Sequence, residues 1–131
     1  MKKTRFIELK QIFRILNGPN GCPWDKKQTH KSLVGSLREE TLELIRAIKS
    51  ENFNHIKEEL GDVLLQVMFH AEIASKKNRF DIEGVIDVLI KKLKRRHPHV
   101  FGKAKIRSSA QVVRNWKKIK AGEKKKSGRK K

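Results

Sequence analysis

Between Glu39 and Asp62 the sequence sets two carboxylate pairs, Glu40-x-x-Glu43 and Glu59-x-x-Asp62, on either side of a short break. Residues three apart on a helix share a face. Each pair therefore aims two carboxylates at one spot, and two antiparallel helices would bring all four together. Apolar stripes supply the two arms. Leu33, Leu37, Leu44 and Ile48, with Val34 and Ile45 beside them, predict a helix over Ser32–Ser50. Ile56, Leu60, Val63, Leu64, Val67, Ala71 and Ala74 predict a second over His55–Lys77. Glu51-Asn52-Phe53-Asn54 is the turn between them, with Asn52 or Asn54 suited to the N-cap. Gly61 falls mid-helix, at a cost of about 1 kcal/mol relative to Ala. A close approach by a neighbouring helix or a ligand would offset that cost. Four converging carboxylates repel one another unless a cation sits among them. Hard oxygen donors suit Mg²⁺ or Mn²⁺. Two solvated acidic helix faces are the plainer alternative.

The rest of the chain reads as further helices. Phe6, Leu9, Ile12, Phe13 and Leu16 recur at helical spacing over residues 4–16, and Asn17-Gly18-Pro19-Asn20-Gly21 breaks the pattern. A loop follows to about His30. Its Trp24 is either a plug on the core or a flat surface for a ligand ring, the plug being favoured. Asp81 can cap a fourth helix that runs to Arg96 and stops before Pro98. Ser108 and Gln111 have capping-box spacing and open a last helix through Trp116 and Ile119. No segment alternates as a strand does. The expectation is an all-α helical bundle, with one domain over residues 1–121 and a disordered lysine-rich tail over 122–131.

Charge bounds the partners. The net charge is +19, yet eight of the 14 acidic residues lie between Glu39 and Glu72. Lys91–Arg107 holds eight basic residues and no acidic one, and residues 121–131 hold six against Glu123 alone. An acidic patch inside a basic chain suits metal-dependent chemistry on phosphates, though a basic surface also suits RNA or DNA. No apolar run approaches the roughly 20 residues of a membrane span, and no signal-peptide core follows the basic start. Cys22 is the only cysteine, which rules out an intrachain disulfide and fits a reducing cytoplasm. Cys22 has no nucleophile partner beside it. His97 and His99 lack cysteine co-ligands for zinc, so they are expected to pack or to hydrogen-bond a turn; His30 and His70 are expected to be structural.

Four motifs stand in order: Gly-Cys-Pro-Trp-Asp-x-x-Gln-Thr-His (21–30), Glu-Glu-Thr-x-Glu (39–43), Glu-Glu-Leu-Gly-Asp (58–62) and Arg-Arg-His-Pro-His-Val-Phe (95–101). Together they resemble the MazG family of nucleoside triphosphate pyrophosphohydrolases, from about Leu9 to Lys120. The resemblance implies an all-α, usually dimeric fold. It also implies Mg²⁺-dependent cleavage of nucleoside triphosphates between the α and β phosphorus atoms, with Mn²⁺ as a substitute ion. Glu40, Glu43, Glu59 and Asp62 match the family's metal ligands. Glu39 matches a further carboxylate near the metals; Glu39 or Glu43 would take the proton of the attacking water. Lys92 and Arg96 match cations that meet the triphosphate, with Arg95 beside them. Trp116 and Lys120 match nucleotide-contacting positions, and Trp24 is assigned to the base. Many family members carry two such domains in tandem, and the loop and His-Pro-His motifs here resemble the first. The tail from Lys124 lies outside the family pattern, and a weak nucleic-acid tether is one use for it. The competing readings are a basic helical nucleic-acid-binding module, which has no use for converging carboxylates, and a catalytically silent nucleotide-binding relative.

Overall fold

A computed structural model describes residues 4–127; they are helical with no strand among them, as an all-α chain requires. The chain divides into two compact units, Met1–Ile82 and Glu83–Lys131.

The first unit begins with α1 (Arg5–Leu16), whose N-cap Thr4 accepts a hydrogen bond from the Ile7 N–H at 3.2 Å. The helix ends at Asn17, where the side-chain amide donates to the Phe13 carbonyl at 3.0 Å. The Cys22 N–H then donates to the Leu16 carbonyl at 2.8 Å. A Cβ at Gly21 would lie 2.1 Å from that same carbonyl oxygen, so only glycine lets the backbone fold back here. A short α2 (Pro23–Lys27) follows, in a stretch the sequence reads as loop. Pro23 opens it, where the missing N–H costs nothing. Before the next helix, Thr29 and Ser32 bond reciprocally: each backbone N–H donates to the other's hydroxyl, at 2.8 and 3.0 Å.

The long hairpin comes next. Helices α3 (Val34–Ser50) and α4 (Phe53–Lys76) are joined by Glu51 and Asn52 alone. Glu51 takes a left-handed φ of 58°, and Asn52 caps α4 by accepting the His55 N–H at 3.1 Å. The two helices pack against each other, antiparallel. Ser36, near the start of α3, accepts a hydrogen bond from Gln66 of α4 at 2.9 Å, which fixes the register. α4 also packs on α1. Phe13 and Phe69 meet edge to face at 6.0 Å, an arrangement worth about 0.5–1.5 kcal/mol beyond the area buried. Lys76 Nζ donates to Asn17 Oδ1 at 3.1 Å and ties α4 to the end of α1. Leu33, Met68 and Ile73 complete the core, and Ala47, Ala71 and Ala74 are buried small residues on the hairpin arms.

The second unit holds most of α5 (Ile82–Arg96), a short α6 (Pro98–Phe101) and α7 (Ser109–Ser127). Ser108 Oγ accepts the Gln111 N–H at 3.2 Å, and Gln111 Oε1 accepts the Arg107 N–H at 2.9 Å, which closes the start of α7. α7 continues past Gly122. Of the tail expected to be disordered, residues 122–127 are helical, and 128–131 lie outside the described residues.

Candidate metal centre and phosphate-binding residues

The register that pairs Ser36 with Gln66 brings the acidic segments of α3 and α4 level. Ligand atoms of Glu40, Glu59 and Asp62 lie within 4.8 Å of one another, and so do those of Glu43, His55 and Glu59. The four carboxylates picked out by spacing therefore do not form one cluster. They form two overlapping groups that share Glu59, with Glu43 joining His55. Glu39 is exposed and belongs to neither group, and its side chain makes no hydrogen bond or ion pair among the described residues.

Glu59 is the buried member, 7% exposed. Its Oε1 lies 3.3 Å from His55 Nε2, while Oε2 is buried without a hydrogen-bond partner. A buried carboxylate oxygen with no donor is costly unless something cationic meets it. Partial burial, and after it the negative charges of Asp62, Glu59, Glu43 and Glu39, push the Glu40 carboxyl above the ordinary carboxylate range. Both observations fit a site built for a divalent cation with oxygen donors. Arg46, three residues along α3, forms a short ion pair with Glu43 Oε1. Arg46 and His55 are not singled out by the carboxylate spacing. The signals were present, since each stands three or four residues from a named carboxylate on the same helix.

Trp24 of α2 is 57% exposed, and its ring meets Phe69 edge to face at 6.1 Å. It is thus neither a closed plug nor a free platform: one edge rests on the core. His30 and His70 stack on each other, 5.0 Å apart and nearly parallel, with their Nδ1 atoms 2.7 Å apart. One Nδ1 must donate and the other accept.

In the second unit, Arg95 and Arg96 close α5 and both engage Glu123 of α7; Arg96 Nη2 lies 2.9 Å from Glu123 Oε1. Hydrogen bonds from Arg95 and then Arg96 lower the Glu123 carboxyl to about 2. The Arg96 guanidinium also lies 6.0 Å from the centre of the Trp116 ring, within cation–π range. His97 contacts Trp116 and His99 by ring packing, and its Nδ1 donates to the Leu93 carbonyl at 2.7 Å, a turn-bonding role rather than a metal-binding one. Lys92 is half-buried on α5, and Lys120 is exposed on α7. Arg95 and Arg96 thus meet at Glu123, in the stretch expected to be a disordered tail, and Arg96 also reaches Trp116.

Known proteins resemble this chain in fold and in sequence. The crystal structure of a mazG-related protein from Thermotoga maritima superposes with a TM-score of 0.69 at 30% identity, covering 86% of this chain and 96% of that one. A nucleoside triphosphate pyrophosphohydrolase/pyrophosphatase MazG from T. maritima is 54% identical over 126 residues, 95% of this chain and 48% of the relative. An uncharacterised protein of Bacillus subtilis, YabN, is 50% identical over 119 residues, 91% of this chain and 24% of its own length. A nucleoside triphosphate pyrophosphohydrolase from Escherichia coli K12 is 42% identical over 84% of this chain and 42% of the relative. The chain thus spans half or less of the length of these curated relatives. The profile of the MazG nucleotide pyrophosphohydrolase domain matches residues 28–101, which include both carboxylate pairs and the end of α5, and the chain belongs to that family.

Proposed function

We propose that the chain hydrolyses nucleoside triphosphates to nucleoside monophosphate and pyrophosphate in a reaction that requires Mg²⁺ or Mn²⁺. The observation that carries this reading is the convergence of Glu40, Glu59 and Asp62, where Glu59 keeps a buried carboxylate oxygen with no hydrogen-bond partner. The names of the T. maritima and E. coli relatives support it. Glu40, Glu59 and Asp62 would hold the ion, with Glu43 beside them. A bound divalent ion would supply charge neutralisation on the phosphates and a lowered pKa for water. Glu43 shares its charge with Arg46. Glu39 keeps its carboxylate exposed, so we assign Glu39 as the base that takes the proton of the attacking water. Lys92, Arg95 and Arg96 would neutralise the leaving pyrophosphate. Glu123 engages one nitrogen of each arginine, Arg95 Nε and Arg96 Nη2, so each guanidinium keeps further N–H donors for phosphate oxygens. Trp116 and Lys120 would contact the nucleotide, and the exposed face of Trp24 would take the base.

Replacing Glu59 tests the reading at its centre. Glu59→Gln should cut pyrophosphate release at least about 100-fold, since even a group behind a metal ligand is worth roughly 10–100-fold. The metal-free variant should melt no lower than the natural chain, because a repelling charge is gone. Full activity in Glu59→Gln would exclude the carboxylate site as the catalytic one.

Two further properties belong to this proposal. The chain acts as a homodimer, a reading supported by Leu60 and Leu64 on α4 and Val88 and Leu89 on α5, all large apolar residues 43–60% exposed. It also binds nucleic acid weakly through the basic end of α7 and the residues after it. A reducing cytoplasm suits its lone, free Cys22. No described helix is long and apolar enough to cross a membrane.

A further inference from the structure

We propose that His55 completes a second cation position, formed with Glu43 and Glu59 beside the all-carboxylate one, and that this position takes a nitrogen-tolerant ion such as Mn²⁺ or Co²⁺ in preference to Mg²⁺. The inference rests on the metal-site reading above and extends it to a nitrogen ligand. His55, Glu43 and Glu59 present ligand atoms within 4.8 Å of one another. The arrangement is built rather than incidental. The backbone of His55 is pinned by the Asn52 cap, so the first turn of α4 is fixed. Its side chain lies one turn before Glu59, where residues four apart meet. Glu59 is more than nine-tenths buried and belongs to both groups, and one of its two oxygens has no partner. A carboxylate with two oxygens can serve two adjacent ions, one through each.

The chemistry of the donors sets the preference. Mg²⁺ demands oxygen ligands and gives up water reluctantly. Imidazole suits later first-row ions, whose affinity for a mixed nitrogen and oxygen site rises from Mn²⁺ to Co²⁺ and beyond. Arg46 competes for Glu43 Oε1 but leaves the second oxygen of that carboxylate for an ion. The pair therefore lowers affinity without closing the position.

Manganese itself is the probe. Titrating the full chain with Mn²⁺, by calorimetry and by pulsed electron paramagnetic resonance, should show a second ion per chain and a ¹⁴N coupling from coordinated imidazole. His55→Gln should weaken the second ion by at least about tenfold and abolish the nitrogen coupling, while the first ion still binds. His55→Asp should keep the second ion without nitrogen coupling and raise its acceptance of Mg²⁺. The His55 side chain is 41% exposed, so the variants should keep the helical circular dichroism of the parent. Mn²⁺ binding with no nitrogen coupling, or a coupling that survives in His55→Gln, would overturn the assignment and leave the carboxylate site standing. Absence of any Mn²⁺ binding would overturn both.

Discussion

At the residue scale, the His30–His70 pair gives the first unit a pH dependence. Burial, and then the neighbouring His30, lower the pKa of His70 from its ordinary value, and its Nε2 is buried without a partner. The folded chain therefore favours neutral His70, and as pH falls the unfolded chain takes up the proton first. Stability should be full above the unfolded value of about 6.5. It should fall as pH drops below that value, until the depressed folded value is passed. Thermal melts between pH 8 and pH 5.5, in metal-free buffer, should show this decline (roughly the range over which histidine titrates). His70→Gln should flatten it, and an unchanged decline in that variant would place its origin elsewhere. His30 and His70 are 40 residues apart in the chain, so nothing in their spacing announces the pair. Glu59 is different. Its place in a Glu-x-x-Asp pattern was legible, but its role as the shared, buried member of two groups depends on the register of α3 against α4. Helical periodicity alone does not set that register.

At the scale of elements, the long helices were legible because their apolar stripes are long and their ends are chemically marked. Thr4 and Asn52 cap where capping residues belong, and α3, α4 and α5 end within a residue of expectation. The short α2 and α6 were not, because four or five residues carry no readable period; each opens on a proline that also signals a loop. Gly61 corrects a different expectation. A Cβ built there meets nothing within 4 Å among the described residues, so no close approach within the chain accounts for the glycine. Gly61→Ala should therefore stabilise α4 by about 0.5–1 kcal/mol in chemical denaturation. A loss of stability instead would mean that a second copy of the chain or a ligand packs against this position. Light scattering at micromolar concentration addresses the second copy directly. Twice the chain mass is expected, and a monomer would contradict the dimer proposed from the exposed faces of α4 and α5.

At the scale of the whole molecule, charge is divided with a purpose the composition only hints at. The acidic residues concentrate on the hairpin of the first unit, while α5 and α7 of the second carry much of the excess of 33 basic over 14 acidic residues. Nucleic-acid binding through the end of α7 should fall steeply with salt, since each neutralised phosphate releases counterions. Affinity for an oligonucleotide that does not change between low and physiological salt would exclude this electrostatic mode. Glu123 shows why the tail cannot be treated as a detachable appendage. A cut after Gly122 removes the carboxylate that holds Arg95 and Arg96, whereas a cut after Ser127 leaves it in place.

In the proposed reaction, paired carboxylates on a helical hairpin hold a divalent ion for hydrolysis between the α and β phosphorus atoms. Quantifying products from the common ribo- and deoxyribonucleoside triphosphates, with Mg²⁺, with Mn²⁺ and with excess chelator, tests it most directly. Equimolar nucleoside monophosphate and pyrophosphate are expected with either ion, and no turnover in chelator. Orthophosphate with nucleoside diphosphate, activity that survives chelation, or no turnover of any triphosphate with either ion would contradict it.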